Sequence, residues 1–195
     1  MAALALPFAP DRFSPDLFSV VTMSHGDRRP AWAELFDWAP EGDAHIAAAA
    51  SRNLWAAKLD DAVTRADKAV LLVADGASCF AAAWWARLTP AHYVEKVAGA
   101  LMFLPGDSAD LSGRQSDWNS PRLKLPFPSI VVTDGDPQGD QIRALGQDWG
   151  SERIAGRSRV TEAETPHWRQ ALRAVDRFTS RMVARDIVIA RHQRR

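Results

Sequence analysis

The stretch from Lys68 to Leu88 reads KAVLLVADGASCFAAAWWARL, and the rest of the chain is arranged around it. Val70 to Ala74 is an apolar run with β-branched residues, which is typical of a strand buried on both faces of a parallel sheet. Asp75-Gly76-Ala77-Ser78 is predicted to be a tight polar turn. Cys79 to Leu88 is rich in alanine and apolar on most sides, which predicts a buried helix.

A strand, a sharp turn and a buried helix form the setting of a nucleophile elbow, in which a G-x-S-x-G motif places a serine on a strained turn. The motif itself is absent from this stretch. When the motif is aligned on the end of the strand, its five positions hold Ala74, Asp75, Gly76, Ala77 and Ser78. The nucleophile position is then Gly76, which has no side chain that could attack a substrate.

Composition excludes several classes of protein. The chain has 195 residues, 47% of them apolar, which predicts one domain over residues 1–195 with a sizeable core. Its formal net charge is zero, so nucleic acid is not expected as a partner. The single cysteine, Cys79, excludes an internal disulfide, and no Cys/His pattern has zinc spacing, so we expect no metal and no cofactor.

The two ends of the chain suggest no targeting segment. The start, MAALALPFAP, has no basic segment before its short apolar run, so it does not resemble a signal peptide. No apolar run approaches the roughly 20 residues that span a bilayer. We therefore expect a cytoplasmic protein of bacterial type, with residues 1–16 as an extended arm and residues 186–195 as a basic tail.

Strand and helix patterns alternate along the chain. The predicted strands are Leu17–Met23, Val70–Ala74, Val97–Leu104, Pro128–Thr133 and Arg153–Ala155. The predicted helices are 30–38, 52–65, 79–88, 138–149 and a long helix from Thr165 to at least Ala184. Ser51 is the predicted N-cap of the second helix, which runs to about Arg65 and has Leu54, Trp55, Leu59 and Val63 on one side. Gly150 is predicted to end the fourth helix. Residues 44–50 fit either an edge strand or the start of a helix. Such alternation predicts a three-layer α/β/α fold with a mainly parallel sheet of five or six strands.

Several local patterns, in order, resemble one family. The run Ala74-Asp75-Gly76-Ala77-Ser78-Cys79, followed by an Ala/Trp-rich helix, is similar to the A-H-S-L-G-C run of the small serine hydrolases of α/β-hydrolase fold, the retinoblastoma-binding-protein-type and YdeN-like hydrolases. Trp32 and Trp55 resemble the two tryptophans of that family. VAGALMFLPGD (97–107) and LPFPSIVVTDGDP (125–137) are similar to its later strands, and the patterns cover most of residues 18–180.

The resemblance implies a serine nucleophile, an acid and a histidine, and this chain departs from the family at those positions. The family serine falls on Gly76. Its acid lies in a D-D-P turn, where this chain has Gly135-Asp136-Pro137 with Asp134 beside it. Its histidine falls near Arg159, in a region without histidine; His167, further on, is predicted to lie on a helix. A triad needs a nucleophile, a base and an orienting acid, so we expect the fold without hydrolysis.

Two residues could supply a rearranged nucleophile or base. Ser78 follows the apex by two residues, although a serine at a helix start more often bonds to nearby backbone. His25, after the first strand and beside Ser24, could act as a base, although a lone loop histidine is more often simply exposed. Cys79 could be activated at a helix N-terminus, but a cysteine beside an Ala-rich helix is usually a small core residue.

The same turn could instead bind a ligand. The simpler interpretation makes Asp75 the N-cap of the helix. The functional interpretation is a pocket formed by Ser24, His25, Asp75, Gly76, Ala77 and Asp136. In that pocket Asp75 and Asp136 would face each other across the strand ends and bind a cation or a basic ligand.

The last predicted helix carries an arginine every four residues. These arginines are Arg169, Arg173, Arg177, Arg181 and Arg185, and we call them the arginine stripe. Residues 151–195 hold 11 Arg and 5 acidic residues, an excess of +6, so residues 1–150 carry −6. A solvated helix face explains such a run most simply, and the functional alternative is a contact surface for an acidic protein or, weakly, for nucleic acid.

Three functions follow from the sequence. The first is a catalytically inactive member of the hydrolase family, a pseudoenzyme retained for binding or regulation, with an unidentified small molecule or protein as its partner. The second is an active esterase or amidase with a rearranged nucleophile. The third is a protein-interaction module that uses the arginine stripe.

Overall fold

The computed structural model describes residues 18–24, 44–46, 51–104, 122–134 and 140–156. The strands are β1 (Ser19–Met23), β2 (Ala44–Ile46), β3 (Val70–Asp75), β4 (Val97–Leu104), β5 (Ser129–Asp134) and β6 (Glu152–Gly156). The helices are α1 (Arg52–Arg65), α2 (Ala77–Leu88), α3 (Ala91–Val94) and α4 (Asp140–Trp149).

All six strands form one sheet in the order β2-β1-β3-β4-β5-β6, and every neighbouring pair is parallel. Parallel strands need a crossover between them, and helices supply it in most proteins of this type. The predicted α/β fold with a mainly parallel sheet is therefore confirmed. The carboxyl ends of β3, β4 and β5 lie side by side, because Asp75 pairs with Phe103 and Phe103 with Val132.

Both faces of the sheet are buried, as a three-layer fold requires. One face forms a core with α1, α2 and α4, in which Phe80 and Trp149 pack edge to face with ring centroids 5.9 Å apart. On the opposite face, strand side chains such as Leu71, Val73 and Leu101 are also buried. This double burial explains why β3 and β4 read as continuous apolar runs rather than as alternating ones.

Most sequence predictions agree with these elements to within two residues. β4 has the predicted bounds. The Ser51 hydroxyl oxygen caps α1 by accepting a hydrogen bond from the Leu54 N–H at 3.2 Å. Gly150 follows the end of α4 and has a φ of 67°, as expected for a residue that ends a helix. Residues 44–46 form an edge strand, which settles that part of the ambiguous segment. The predicted helices 30–38 and 165–184 lie outside the described residues, together with the arginine stripe and both ends of the chain.

Two predictions about individual residues are wrong, and one short helix was not predicted. Leu54 is 49% exposed rather than buried with Trp55, because the side of α1 that faces the core carries Trp55, Leu59 and Val63. The helix after β3 begins at Ala77 instead of Cys79, so the turn is one residue long. Residues 91–94 form α3, a short helix that the sequence did not predict.

Candidate active site at the end of β3

The turn between β3 and α2 consists of Gly76 alone. Its φ of 61° and ψ of −126° lie in a region that residues with a Cβ rarely adopt, and glycine enters it without that steric cost. The six residues of β3 before it are all buried. The chain therefore reverses from strand to helix at a single strained position, which is the geometry of an elbow apex.

Two backbone hydrogen bonds hold the apex in place. The Gly76 N–H donates to the carbonyl oxygen of Phe103 on β4 at 2.8 Å, and the Cys79 N–H donates to the Gly76 carbonyl oxygen at 3.1 Å. The first bond ties the turn to the neighbouring strand and the second ties it to the first turn of α2. The sequence did not indicate the role of Phe103, because its backbone carbonyl is what forms the contact.

No described residue fills the space over the apex. Within the described ranges, a Cβ built on Gly76 would have no atom within 4 Å. Ala77 is the first residue of α2, so its N–H is one of those that have no partner within the helix. The space over the apex is therefore large enough for an atom of a ligand, and the Ala77 N–H, a hydrogen-bond donor, lies beside that space.

Ser78 is buried and its hydroxyl is bonded to backbone. The oxygen accepts the Asp75 N–H at 2.9 Å, and it lies 2.8 Å from the Asp75 carbonyl oxygen and 3.1 Å from the Met23 carbonyl oxygen, which share its proton. These bonds link β1, β3 and α2. The two bonds with Asp75 are the local backbone bonds that the simpler interpretation of Ser78 predicted, whereas the bond with Met23 reaches a distant strand.

Asp75 does not cap α2, so that prediction is wrong. It is the last residue of β3, and Gly76 holds the N-cap position without any side-chain hydrogen bond. Because the reversal takes only one residue, Asp75 is still in the strand, where it pairs with Phe103. Its side chain is 7% exposed.

Cys79 is a buried thiol. It has no exposed surface, and its sulfur lies 3.5 Å from the carbonyl oxygens of both Ala74 and Phe103. Burial raises the pKa of this thiol well above its ordinary value, and the charge of nearby Asp75 raises it further. Cys79 is therefore protonated at neutral pH, and a protonated, buried thiol is a poor nucleophile.

Ser24 follows β1 at the same edge of the sheet and is also buried. Its N–H donates to the Ile46 carbonyl oxygen on β2 at 3.2 Å, so this amide is committed to the sheet. At the end of β5, Thr133 has a buried hydroxyl without a hydrogen-bond partner in the described part of the chain. The sequence did not single out Thr133, since a threonine inside an apolar strand pattern resembles any other strand residue.

The structure brings five of the predicted site residues together at the carboxyl ends of the strands: Ser24, Asp75, Gly76, Ala77 and Ser78. His25, Asp136 and Arg159 lie outside the described residues, so their predicted roles remain predictions. The described ranges contain no group of three His, Cys, Asp or Glu side chains that could hold a metal ion. They also contain no helix that is long and apolar enough to cross a membrane.

Comparisons with known proteins agree with this geometry. A protein-family model described as serine hydrolase matches residues 31–176, which is most of the chain. The fold is similar to that of a crystal structure described as a YdeN-like hydrolase from Pectobacterium atrosepticum, with a TM-score of 0.57 and 15% sequence identity. That match covers 85% of this chain and 92% of the other. Curated protein sequences contain no match.

Proposed function

The chain belongs to the serine hydrolase family, and on that premise we propose that it is a non-hydrolytic member that binds a small molecule at the elbow. The observation that carries the proposal is the residue at the apex. The apex geometry is retained, but its residue is Gly76, which cannot form the acyl-enzyme bond that a serine would form.

The neighbouring hydroxyl and thiol do not replace a serine at the apex. Nucleophilic attack needs an oxygen or sulfur that can be deprotonated and can reach the substrate. The Ser78 hydroxyl is buried and directed at backbone atoms of β1 and β3. The Cys79 thiol is buried and its pKa is raised. These contacts favour the inactive interpretation over a rearranged nucleophile.

Binding is supported by the open space and by its place in the fold. In open parallel sheets, ligands bind at the carboxyl ends of the strands, where Gly76 lies. A ligand of the size of a small ester or amide would lie over the apex with its carbonyl oxygen towards the Ala77 N–H. It would be held and released unchanged, because none of the described residues at the apex places a nucleophile against it.

Methyl phenylacetate is a suitable probe, since NMR reports both its binding and its hydrolysis. We expect saturation transfer from the protein to the intact ester, and no protein-dependent formation of phenylacetate and methanol. Gly76→Leu should abolish the transfer, because its side chain fills the space over the apex.

Gly76→Ala is the matched control, since it has the same backbone strain but leaves most of that space open, and it should retain binding. Protein-dependent hydrolysis that Ser78→Ala removes would establish the rearranged nucleophile instead. Binding that persists in folded Gly76→Leu would place the ligand elsewhere.

A further inference from the structure

Asp75 places a carboxylate directly before the apex of the elbow. It is the last residue of β3, and Gly76 is the next residue in the chain. Because successive Cα atoms are about 3.8 Å apart, the carboxylate and a ligand atom over Gly76 are separated by a distance on the order of 6 Å. At that distance two charges interact strongly unless water screens them.

The backbone that carries this carboxylate is held on both sides. The Asp75 N–H donates to the Ser78 hydroxyl oxygen at 2.9 Å, and the Asp75 carbonyl oxygen lies 2.8 Å from the same hydroxyl oxygen. The Gly76 N–H donates to the carbonyl oxygen of Phe103 at 2.8 Å. The position of Asp75 relative to the apex is therefore fixed by hydrogen bonds to α2 and β4.

Burial strengthens the effect of the Asp75 charge on its surroundings. Asp75 is buried, so less water screens its charge than would screen a carboxylate on the surface. The thiol of Cys79, in the first turn of α2, responds to that charge, which adds to the rise in the pKa of the thiol. The field of Asp75 thus extends to the groups around the apex, and it acts on a ligand there without a direct contact.

The N-terminus of α2 acts on a ligand in the opposite direction. Its aligned peptide groups amount to about half a positive charge, which favours an anion near the Ala77 N–H. Asp75, two residues before Ala77, contributes a full negative charge at a comparable distance, so the sum is repulsion of an anion. A neutral carbonyl oxygen can accept the Ala77 N–H with little of that repulsion, because it carries no net charge.

From this arrangement we propose that Asp75 is a specificity-determining residue, through which the elbow binds neutral esters or amides and rejects the carboxylates that their hydrolysis would release. The inference rests on the proposed function, since it concerns the ligand of the same site. A site with this preference responds to the intact compound and is not blocked by the acid that an active hydrolase forms from it.

Methyl phenylacetate and phenylacetate test the proposal, because they share a hydrocarbon body and differ in charge. Each is titrated into the full chain at pH 7, and amide shifts in NMR give its dissociation constant. We expect phenylacetate to bind at least about tenfold more weakly than the ester, since the two carboxylates repel each other in a poorly hydrated site. Phenylacetamide, a second neutral ligand, should bind like the ester.

Two neutral variants assign the preference to its residue. Asp75→Asn removes the charge at nearly constant size and should bring the ratio of the acid and ester dissociation constants close to one. Asp75→Ser should do the same, and it serves where Asp75→Asn does not fold. Asp67→Asn is the matched control, because it removes an exposed carboxylate at the opposite end of β3 and should leave the ratio unchanged.

The outcomes separate this inference from the proposed function. Phenylacetate that binds the native chain as tightly as the ester would overturn the inference alone. An unchanged ratio in a folded variant of Asp75, or an equal change of the ratio in Asp67→Asn, would also overturn it. Absence of binding by both the ester and the amide would instead contradict the proposed function, and the inference with it.

Discussion

Gly76 carries the proposal of a non-hydrolytic elbow, because a glycine permits the turn and has no side chain that could act as a nucleophile. Its backbone angles are those that residues with a Cβ rarely adopt, and no described residue comes within 4 Å of its Cβ position. As far as the described residues go, the cost of adding a side chain there is a backbone cost rather than a steric clash. Replacing Gly76 therefore tests backbone strain separately from steric clash, although the two effects usually occur together when a glycine is replaced.

Replacing Gly76 with alanine should lower the free energy of unfolding by about 1–3 kcal/mol, the usual cost of a non-glycine residue at such angles. Gly146→Ala, inside α4, is the contrasting variant. Among the described residues, a Cβ there would meet the flexible side chain of Arg153 at 3.4 Å and no other atom within 4 Å, so the variant should gain up to about 1 kcal/mol. Urea denaturation measures both. A Gly76→Ala variant as stable as the native chain would show that the apex is not strained.

Cys79 predicts a dependence of stability on pH. Burial raises the pKa of its thiol well above the ordinary 9.0. Above about pH 9 the unfolded chain loses this proton while the folded chain keeps it, so the unfolded state gains stability. The free energy of unfolding should therefore be unaffected by this group below pH 9 and fall above it, by up to about 1.4 kcal/mol per pH unit.

Cys79→Ala should lack that additional fall, whatever its own stability at pH 7. Urea denaturation of both proteins between pH 7 and pH 10, with a reducing agent present, gives the two slopes. Since the other titrating groups are common to both proteins, parallel slopes would mean that the thiol ionises in the folded state as easily as in the unfolded one.

At the scale of elements, α1 and α2 are joined by a partly buried hydrogen bond at the border of the core. The Trp85 Nε1–H donates to the Asp60 carboxylate at 2.7 Å, and Trp85 is 1% exposed. Packing of Trp55 and Phe80 in the same core adds apolar contact. This polar bond connects α1 to the C-terminal half of α2.

Asp60→Ala should destabilise the protein by about 1–3 kcal/mol, because it leaves a buried indole N–H without its partner. Asp61→Ala is the matched control on the same helix. It removes only the exposed pair with Arg65 and should change stability little. The difference between the two variants in thermal or urea denaturation checks the prediction, and equal losses would mean that the Trp85 bond contributes nothing specific.

How well the sequence predicted each element depended on the strength of its pattern. β3 and β4 were predicted almost to the residue, because continuous apolar runs bounded by polar turns suit buried parallel strands. The start of α2 was predicted two residues late, because Ala77 and Ser78 resemble turn residues until the angles of Gly76 are known. Asp75 was assigned as a cap for the same reason. The hydrogen bonds of Ser78 to β1 depend on a contact 55 residues away, which no local pattern contains.

At the scale of the whole molecule, the parallel sheet places the elbow at the carboxyl ends of its strands. The apex of that elbow carries no side chain that could act as a nucleophile. Membership of the serine hydrolase family accounts for the elbow, and the residue at its apex is the reason to propose binding rather than hydrolysis.

The measurement that tests this account most directly is the intact mass of the protein after incubation with a fluorophosphonate, which phosphonylates activated serines. We expect the unmodified mass, since Gly76 offers no oxygen and the Ser78 hydroxyl is held by backbone groups. A known serine hydrolase, treated in parallel, shows that the reagent is active. A stoichiometric adduct on any serine would contradict the account, and an adduct on Ser78 would show that the elbow uses a displaced nucleophile.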